Sequence, residues 1–204
     1  MATLYGTPKN GLREILLTFD DGPHPVNTPK LLDVLAVNDI KAVFFMVGQS
    51  LQTPAGKALL ARVRQEGHLA GNHSYSHPDL SKLTTDKIKD EIVRTRDLIG
   101  DAAKGVKLFR PPYGAESSLS RAIVRDLGYE TMLWNVDSLD WHPKYKTGAW
   151  VEHAMSQIRA REDSTFLAHD IHATTVARVQ ELIDLIKKIP GAVFIRPSAT
   201  PLPS

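Results

Sequence analysis

Cysteine is missing from this 204-residue sequence. That excludes disulfides, thiolate nucleophiles and cysteine-ligated zinc, and it leaves the compartment open, because a thiol-free chain works in reducing and oxidising surroundings alike. An excess of one charge is missing too: 25 basic side chains stand against 23 acidic ones, a formal net charge of +2. With no long basic run, the concentrated positive face that nucleic acid needs is not expected. No apolar run approaches the roughly 18 residues that span a bilayer. The opening MATLYGTPKNGLRE lacks a basic segment followed by an apolar one, so it does not read as a signal peptide. Repeats, low-complexity stretches and linkers are lacking as well. There is no Gly-x-Ser-x-Gly elbow, Gly-x-Gly-x-x-Gly turn or phosphate-binding loop, which argues against a serine hydrolase and against a nucleotide-binding enzyme.

What is present is alternation. Short apolar or β-branched runs at residues 14–19, 42–47, 68–71, 106–109, 130–136, 165–168 and 192–195 read as strands. Between them, amphipathic stretches at 28–37, 54–65, 119–127, 147–159 and 174–189 read as helices. So does a stretch that opens on Thr84-Thr85-Asp86 with N-cap chemistry and stops at Gly100. The tail, residues 197–204, is Pro-rich and reads as loose. Seven strands alternating with helices predict an α/β fold with a mostly parallel sheet, and the length suits one domain over 1–204. A closed or nearly closed barrel fits better than an open sheet, because reactive residues follow almost every strand and barrels carry their sites at the strand C-terminal ends.

Five segments hold those residues. Asp20 and Asp21 adjoin in TFDDGP; two carboxylates this close raise one pKa unless a cation binds one of them, although the same letters also suit a solvated turn. His73 and His77 in HSYSH have a spacing that puts two imidazoles on one side of a helical turn, a common zinc arrangement, or are two surface histidines. No Glu lies between them, so any base must come from elsewhere, and Asp20 is free to serve. In RPPYG, Pro111 and Pro112 stiffen a turn that can aim the Tyr113 N–H at an oxyanion, while Arg110 can pair with a carboxylate; a stiff surface turn is the alternative. In DSLDW, Asp140 beside Trp141 suggests a sugar platform, or a capping Asp and a core Trp. His169 in LAHD suits a general acid if Asp140 is its partner, and is otherwise structural. Of the other histidines, His24 and His142 are expected to border a groove, and His68 and His153 to be structural or surface residues.

Together and in this order, TFDDGP, HSYSH, RPPYG, DSLDW and LAH resemble the five motifs of the polysaccharide deacetylases, carbohydrate esterase family 4, also called the NodB-homology domain. The resemblance covers about residues 15–169. It implies a distorted (β/α) barrel with fewer than eight strands, in line with the seven counted. It implies removal of acetyl from N-acetylglucosamine units of chitin, chitooligosaccharides or peptidoglycan, with O-acetyl esters of xylan as the alternative. Carried over motif by motif, Asp21, His73 and His77 would bind a divalent metal, usually Zn2+, with Co2+ or Ni2+ as substitutes. Asp20 would be the base, held by Arg110, and His169 the acid, tuned by Asp140. Tyr113 would supply a backbone N–H, Leu167 would line the acetyl pocket and Trp141 would carry the sugar. The partner implied is an N-acetylated oligo- or polysaccharide, with no nucleic acid, no membrane span and a monomeric state. The family is mostly exported, so a secreted or envelope-associated protein that has lost its leader is expected, with the cytoplasm as the alternative. Short loops between the motifs predict an open groove for several sugar units. A small-amide hydrolase and a non-catalytic sugar- or metal-binding module are the rival classes.

Overall fold

The structure is a computed structural model that describes residues 11–100 and 107–197; the first ten residues, position 106 of the predicted fourth strand and the Pro-rich tail from 198 onward lie outside the described residues. Along the chain run β1 (Arg13–Asp20), α1 (Asn27–Val37), β2 (Val43–Met46), α2 (Gly48–Leu51), α3 (Pro54–Gln65), β3 (Leu69–Asn72), α4 (Thr85–Ile99), β4 (Lys107–Phe109) and α5 (Ser118–Asp126). Then come β5 (Tyr129–Thr131), β6 (Val136–Asp137), α6 (Trp150–Arg159), β7 (Asp163–His169), α7 (Ala173–Val176), α8 (Val179–Lys187) and β8 (Ala192–Phe194). All strand pairs are parallel, in the order β5-β4-β3-β2-β1-β7-β6, with β8 added beside the start of β1. The seven-strand path curls into a partial barrel, as the resemblance implied. No helix among the described residues is long and apolar enough to cross a membrane.

Strand alternation makes the two layers of the molecule. On β1, Ile15, Leu17 and Phe19 point outward and join Phe44, Met46, Phe166 and the apolar faces of α1, α6 and α8 in the main core. The alternate residues point into the barrel, where Leu16 packs with Val43, Phe45, Leu108 and Met132. The inner face of β1 therefore climbs from apolar Leu16 through Thr18 to Asp20 at the strand end. β7 climbs beside it in register, with Thr18 opposite Leu167 and Asp20 opposite His169.

Two expected elements are broken. The run 130–136 is not one strand: Met132 N–H still bonds Phe109 O on the β4 side at 2.9 Å, whereas Asn135 N–H bonds Thr165 O on the β7 side at 3.2 Å. The chain thus crosses the open seam of the barrel at Leu133-Trp134. The expected helix 174–189 is two helices, because Arg178 leaves helical geometry (φ −120°, ψ 5°) and its guanidinium bonds Gly148 O and Glu181. Thr84 does sit at the N-cap of α4, but its side chain makes no capping hydrogen bond. The expected helix at 147–159 begins only at Trp150.

Candidate functional site

The C-terminal ends of the strands open into one groove of about 500 Å³, lined by Asp20, Asp21, His73, His77, Pro111, Tyr113, Trp134, Asp137, Trp141, Leu167 and His169. That volume is within the range of small-ligand sites. All five sequence segments place side chains on this lining, and RPPYG also adds a buried Arg110 beneath it.

The strand ends explain the gathering. Asp20 is the last residue of β1, and Asp21 follows in a left-handed backbone conformation (φ 74°) that turns its side chain beside the two imidazoles. Gly22 comes next, where a Cβ would overlap the Asp170 carboxylate, so only glycine fits. His73 Nε2 and His77 Nε2 lie 3.4 and 3.1 Å from Asp21 Oδ1. A tetrahedral ion with bonds of roughly 2.0–2.1 Å spaces its ligands about 3.3 Å apart, close to both distances. Asp21 Oδ1 is buried and has no hydrogen-bond partner. An orphaned anionic oxygen between two ring nitrogens is what a cation site looks like before its ion is counted. Burial pushes the Asp21 carboxyl up, but the neighbouring imidazoles of His73, His77 and His169 hold it well below the usual carboxylate range. The three ligand atoms lie within 4.8 Å of one another and fit a divalent ion.

The HSYSH segment is a loop, which corrects the expectation of a helical turn. Ser74 (φ 63°) and His77 (φ 60°) are left-handed. The Glu91 carboxylate on α4 accepts the Tyr75 and Ser76 N–H groups at 2.8 and 2.7 Å and the Ser76 hydroxyl at 2.6 Å. His73 Nδ1 lies 2.7 Å from Arg110 O, which makes Nδ1 the protonated nitrogen and leaves Nε2 free towards Asp21.

Arg110 is fully buried. Its Nη1 donates to Asp20 Oδ1 at 2.8 Å and to Thr18 Oγ1 at 2.7 Å, while Nε and Nη2 donate to Met132 O at 2.9 Å and Leu133 O at 3.1 Å. One guanidinium therefore holds the Asp20 carboxylate and both carbonyls of the seam crossing. Tyr113 has φ 60°, and among the described residues nothing accepts its N–H; its ring meets the His77 ring edge-on at 4.6 Å.

Opposite in character is the pair formed by His169, at the end of β7, with Asp140, which follows β6. His169 Nδ1 lies 2.6 Å from Asp140 Oδ1, and Asp140 Oδ2 accepts His169 N–H at 2.8 Å and Thr175 Oγ1 at 2.7 Å. Burial lowers the His169 pKa, but the Asp140 bond and the nearby Asp21 and Asp20 charges outweigh it and raise it to about 9. Asp140 moves the other way: burial pushes it up, and the bond to His169 more than offsets that. Leu167, 3% exposed, forms an apolar floor, and Trp141, 50% exposed, stands at the rim.

Several contributors escaped sequence reasoning. Thr18, Glu91 and Thr175 act through contacts between distant parts of the chain, which no local pattern announces. Trp134 lines the groove but lay inside an apolar run read as a strand; its one signal was an aromatic just before DSLDW. Neither His24 nor His142 is among the lining residues. His24 Nδ1 instead accepts the Val26 and Asn27 N–H groups at the start of α1, and His142 meets the Trp141 ring at 5.5 Å. His68 is structural: it is buried, its Nδ1 accepts the Ala42 N–H at 3.0 Å, and burial lowers its pKa to about 4. The His153 ring stacks on Tyr145.

Comparison with known proteins points to one family. The family model described as polysaccharide deacetylase matches residues 8–132. The peptidoglycan-N-acetylglucosamine deacetylase PgdA of Listeria monocytogenes is 35% identical over 177 residues, which cover 86% of this chain and 36% of that protein. This chain therefore spans little more than a third of that relative's length. The peptidoglycan-N-acetylmuramic acid deacetylase PdaA of Bacillus subtilis is 32% identical over 178 residues, covering 86% of this chain and 67% of that one. Among solved structures, the peptidoglycan deacetylase PdaC of Bacillus subtilis superposes with a TM-score of 0.78 at 33% identity, over 91% of this chain and 88% of that one. With the motif order, the curled parallel sheet and the matched family model in agreement, the chain belongs to the polysaccharide deacetylase family.

Proposed function

We propose that this chain is a metal-dependent hydrolase that removes acetyl from N-acetylated aminosugar units of an oligo- or polysaccharide. The observation that carries this reading is the meeting, in one groove, of a cation-ready Asp21–His73–His77 cluster, an oriented carboxylate at Asp20 and a protonated imidazole at His169. The relatives named for N-acetylglucosamine and N-acetylmuramic acid support the sugar substrate.

Asp21, His73 and His77 would hold the ion, with Zn2+ favoured by a nitrogen-and-oxygen donor set and Co2+ or Ni2+ as substitutes. A divalent ion there lowers the pKa of a water and polarises a carbonyl. The protein's own groups do the rest. Arg110 fixes one oxygen of Asp20, which leaves the other to take the proton of the attacking water. The unclaimed Tyr113 N–H stabilises the oxyanion, and Leu167 receives the acetyl methyl. His169 gives its proton to the sugar nitrogen as the C–N bond breaks, because an amide nitrogen leaves poorly without one. Acetate and a free amine result.

The test is acetate release from N-acetylchitooligosaccharides of increasing length, before and after chelation and with zinc restored. Activity is expected to vanish with chelator and return with zinc. Asp20→Asn is expected to lower kcat by roughly 10²–10⁴ with metal content unchanged. Turnover that ignores the chelator, or an Asn variant with full kcat, would sink the reading.

A further inference from the structure

Of the three aspartates on the groove lining, Asp137 is the one that the reaction above leaves without a task. It opens the DSLDW segment at the end of β6 and pairs in register with Leu167. Its backbone is pinned twice by Gln157 of α6: Asp137 N–H donates to Gln157 Oε1 at 3.2 Å, and Gln157 Nε2 donates to Asp137 O at 2.7 Å. Its side chain is aimed by a local turn in which Oδ1 accepts the Leu139 N–H at 2.9 Å, with Leu139 in the left-handed region (φ 54°). The carboxylate is therefore fixed, half-exposed and set among Trp134, Trp141 and Leu167 on the lining.

Charge separates Asp137 from the other carboxylates of the groove. Asp20 is answered by Arg110, Asp140 by His169, and Asp21 by two imidazoles and the ion they would hold. Among the described residues no Lys, Arg or His side chain forms an ion pair with Asp137. A fixed anion with one oxygen free accepts hydrogen bonds from hydroxyl or ammonium groups and repels carboxylates.

We propose that Asp137 is a specificity-determining residue whose free oxygen receives a hydroxyl or ammonium group of the bound glycan and turns away glycans that carry free carboxylates. This rests on the aminosugar-deacetylase reading and names the sugars that site takes. The relatives include proteins named for both N-acetylglucosamine and N-acetylmuramic acid, and the second sugar differs by a lactyl ether that ends in a carboxylate.

Two glycans test it: N-acetylchitotetraose, which is neutral, and a peptide-free tetrasaccharide of alternating N-acetylglucosamine and N-acetylmuramic acid with free lactyl groups. Binding by calorimetry and kcat/KM for acetate release are compared for the zinc-loaded wild type and Asp137→Asn, whose amide oxygen still accepts the Leu139 N–H. The wild type is expected to favour the neutral glycan. The variant is expected to narrow that preference roughly tenfold, mainly in KM, as removing one of two like charges near a wet surface does. Salt at about 0.5 M is expected to narrow the wild-type preference in the same direction. A wild type that prefers the carboxylated glycan, or a ratio that Asp137→Asn leaves unmoved, overturns the proposal. If neither glycan releases acetate, the deacetylase reading fails while the binding ratio still decides Asp137; if neither glycan binds, both fail.

Discussion

Two histidine–aspartate clusters share the groove, and they are finished to different degrees. Around Asp140 every oxygen is spoken for: His169 Nδ1, His169 N–H and Thr175 Oγ1 all bond it. Around Asp21 two imidazoles crowd one oxygen that remains orphaned. A carboxylate whose bonds are complete stays ionised and keeps a proton on its histidine. A carboxylate held against ring nitrogens that do not bond it is incomplete without a cation. On the proposed reading, the same two residue types thus make a proton donor in one place and a metal cradle in the other, and the difference lies in which neighbours finish the hydrogen bonds.

The largest expected effect comes from undoing the complete cluster. Asp140→Asn removes the charge that outweighs burial at His169. The acid must be protonated to act, so its rate falls as pH rises through its pKa. In the wild type that alkaline limb lies near about 9, and somewhat lower once a bound cation offsets the attraction of Asp21. In the variant it should move to the ordinary histidine range or below, with kcat at pH 8 reduced roughly 10²–10³. A pH–rate profile with an unmoved limb would break the comparison.

A smaller effect is expected from loosening the incomplete cluster. Glu91→Gln leaves one acceptor oxygen where two carboxylate oxygens gather the Tyr75–Ser76 loop. Zinc affinity, measured by competition with a coloured chelator, should weaken about 10–100-fold, the usual cost of disturbing groups that orient ligands. The alkaline limb should stay in place, because Glu91 touches neither His169 nor Asp140. A limb that moved with metal affinity would show the two clusters to be one unit.

A third buried carboxyl has neither arrangement, and its effect falls on stability rather than on rate or metal affinity. Asp170 bonds Thr28 Oγ1 through one oxygen, and its other oxygen has no partner. Burial raises its pKa from 3.8 to about 7. The folded chain then holds a proton that the unfolded chain releases above about pH 4, so this group erodes stability as pH rises from about 4 to 7, and the full penalty stands above 7. Asp170→Asn should gain on the order of 2–4 kcal/mol over the wild type at pH 8, compared with pH 4, in urea melts of metal-free protein. Equal pH dependence in both proteins would show that Asp170 is ionised and finds its answer elsewhere.

How legible all this was depended on the range of the interactions. β1 was readable because its run from Ile15 to Phe19 is nearly all apolar, as a strand buried on both faces must be. The site segments were readable because each is short and follows a strand. The loop form of HSYSH was not, since it depends on Glu91, a carboxylate 15 residues beyond Ser76 that looks like any other on an amphipathic helix. The division of 130–136 was not readable either. Those residues have strand character, and what parts them is a guanidinium from Arg110 that takes the Met132 and Leu133 carbonyls, 22 and 23 residues away.

That guanidinium makes the chemistry a witness to assembly. The barrel is open between β5 and β6, and the crossing at Leu133-Trp134 is latched by the same side chain that sets Asp20. A chain with its seam unlatched has lost acceptors for Arg110, and with them the fixed aim of its base. On the proposed reading, misjoined copies would therefore be silent rather than careless: a molecule whose seam is not latched would lack the aimed carboxylate that the reaction needs.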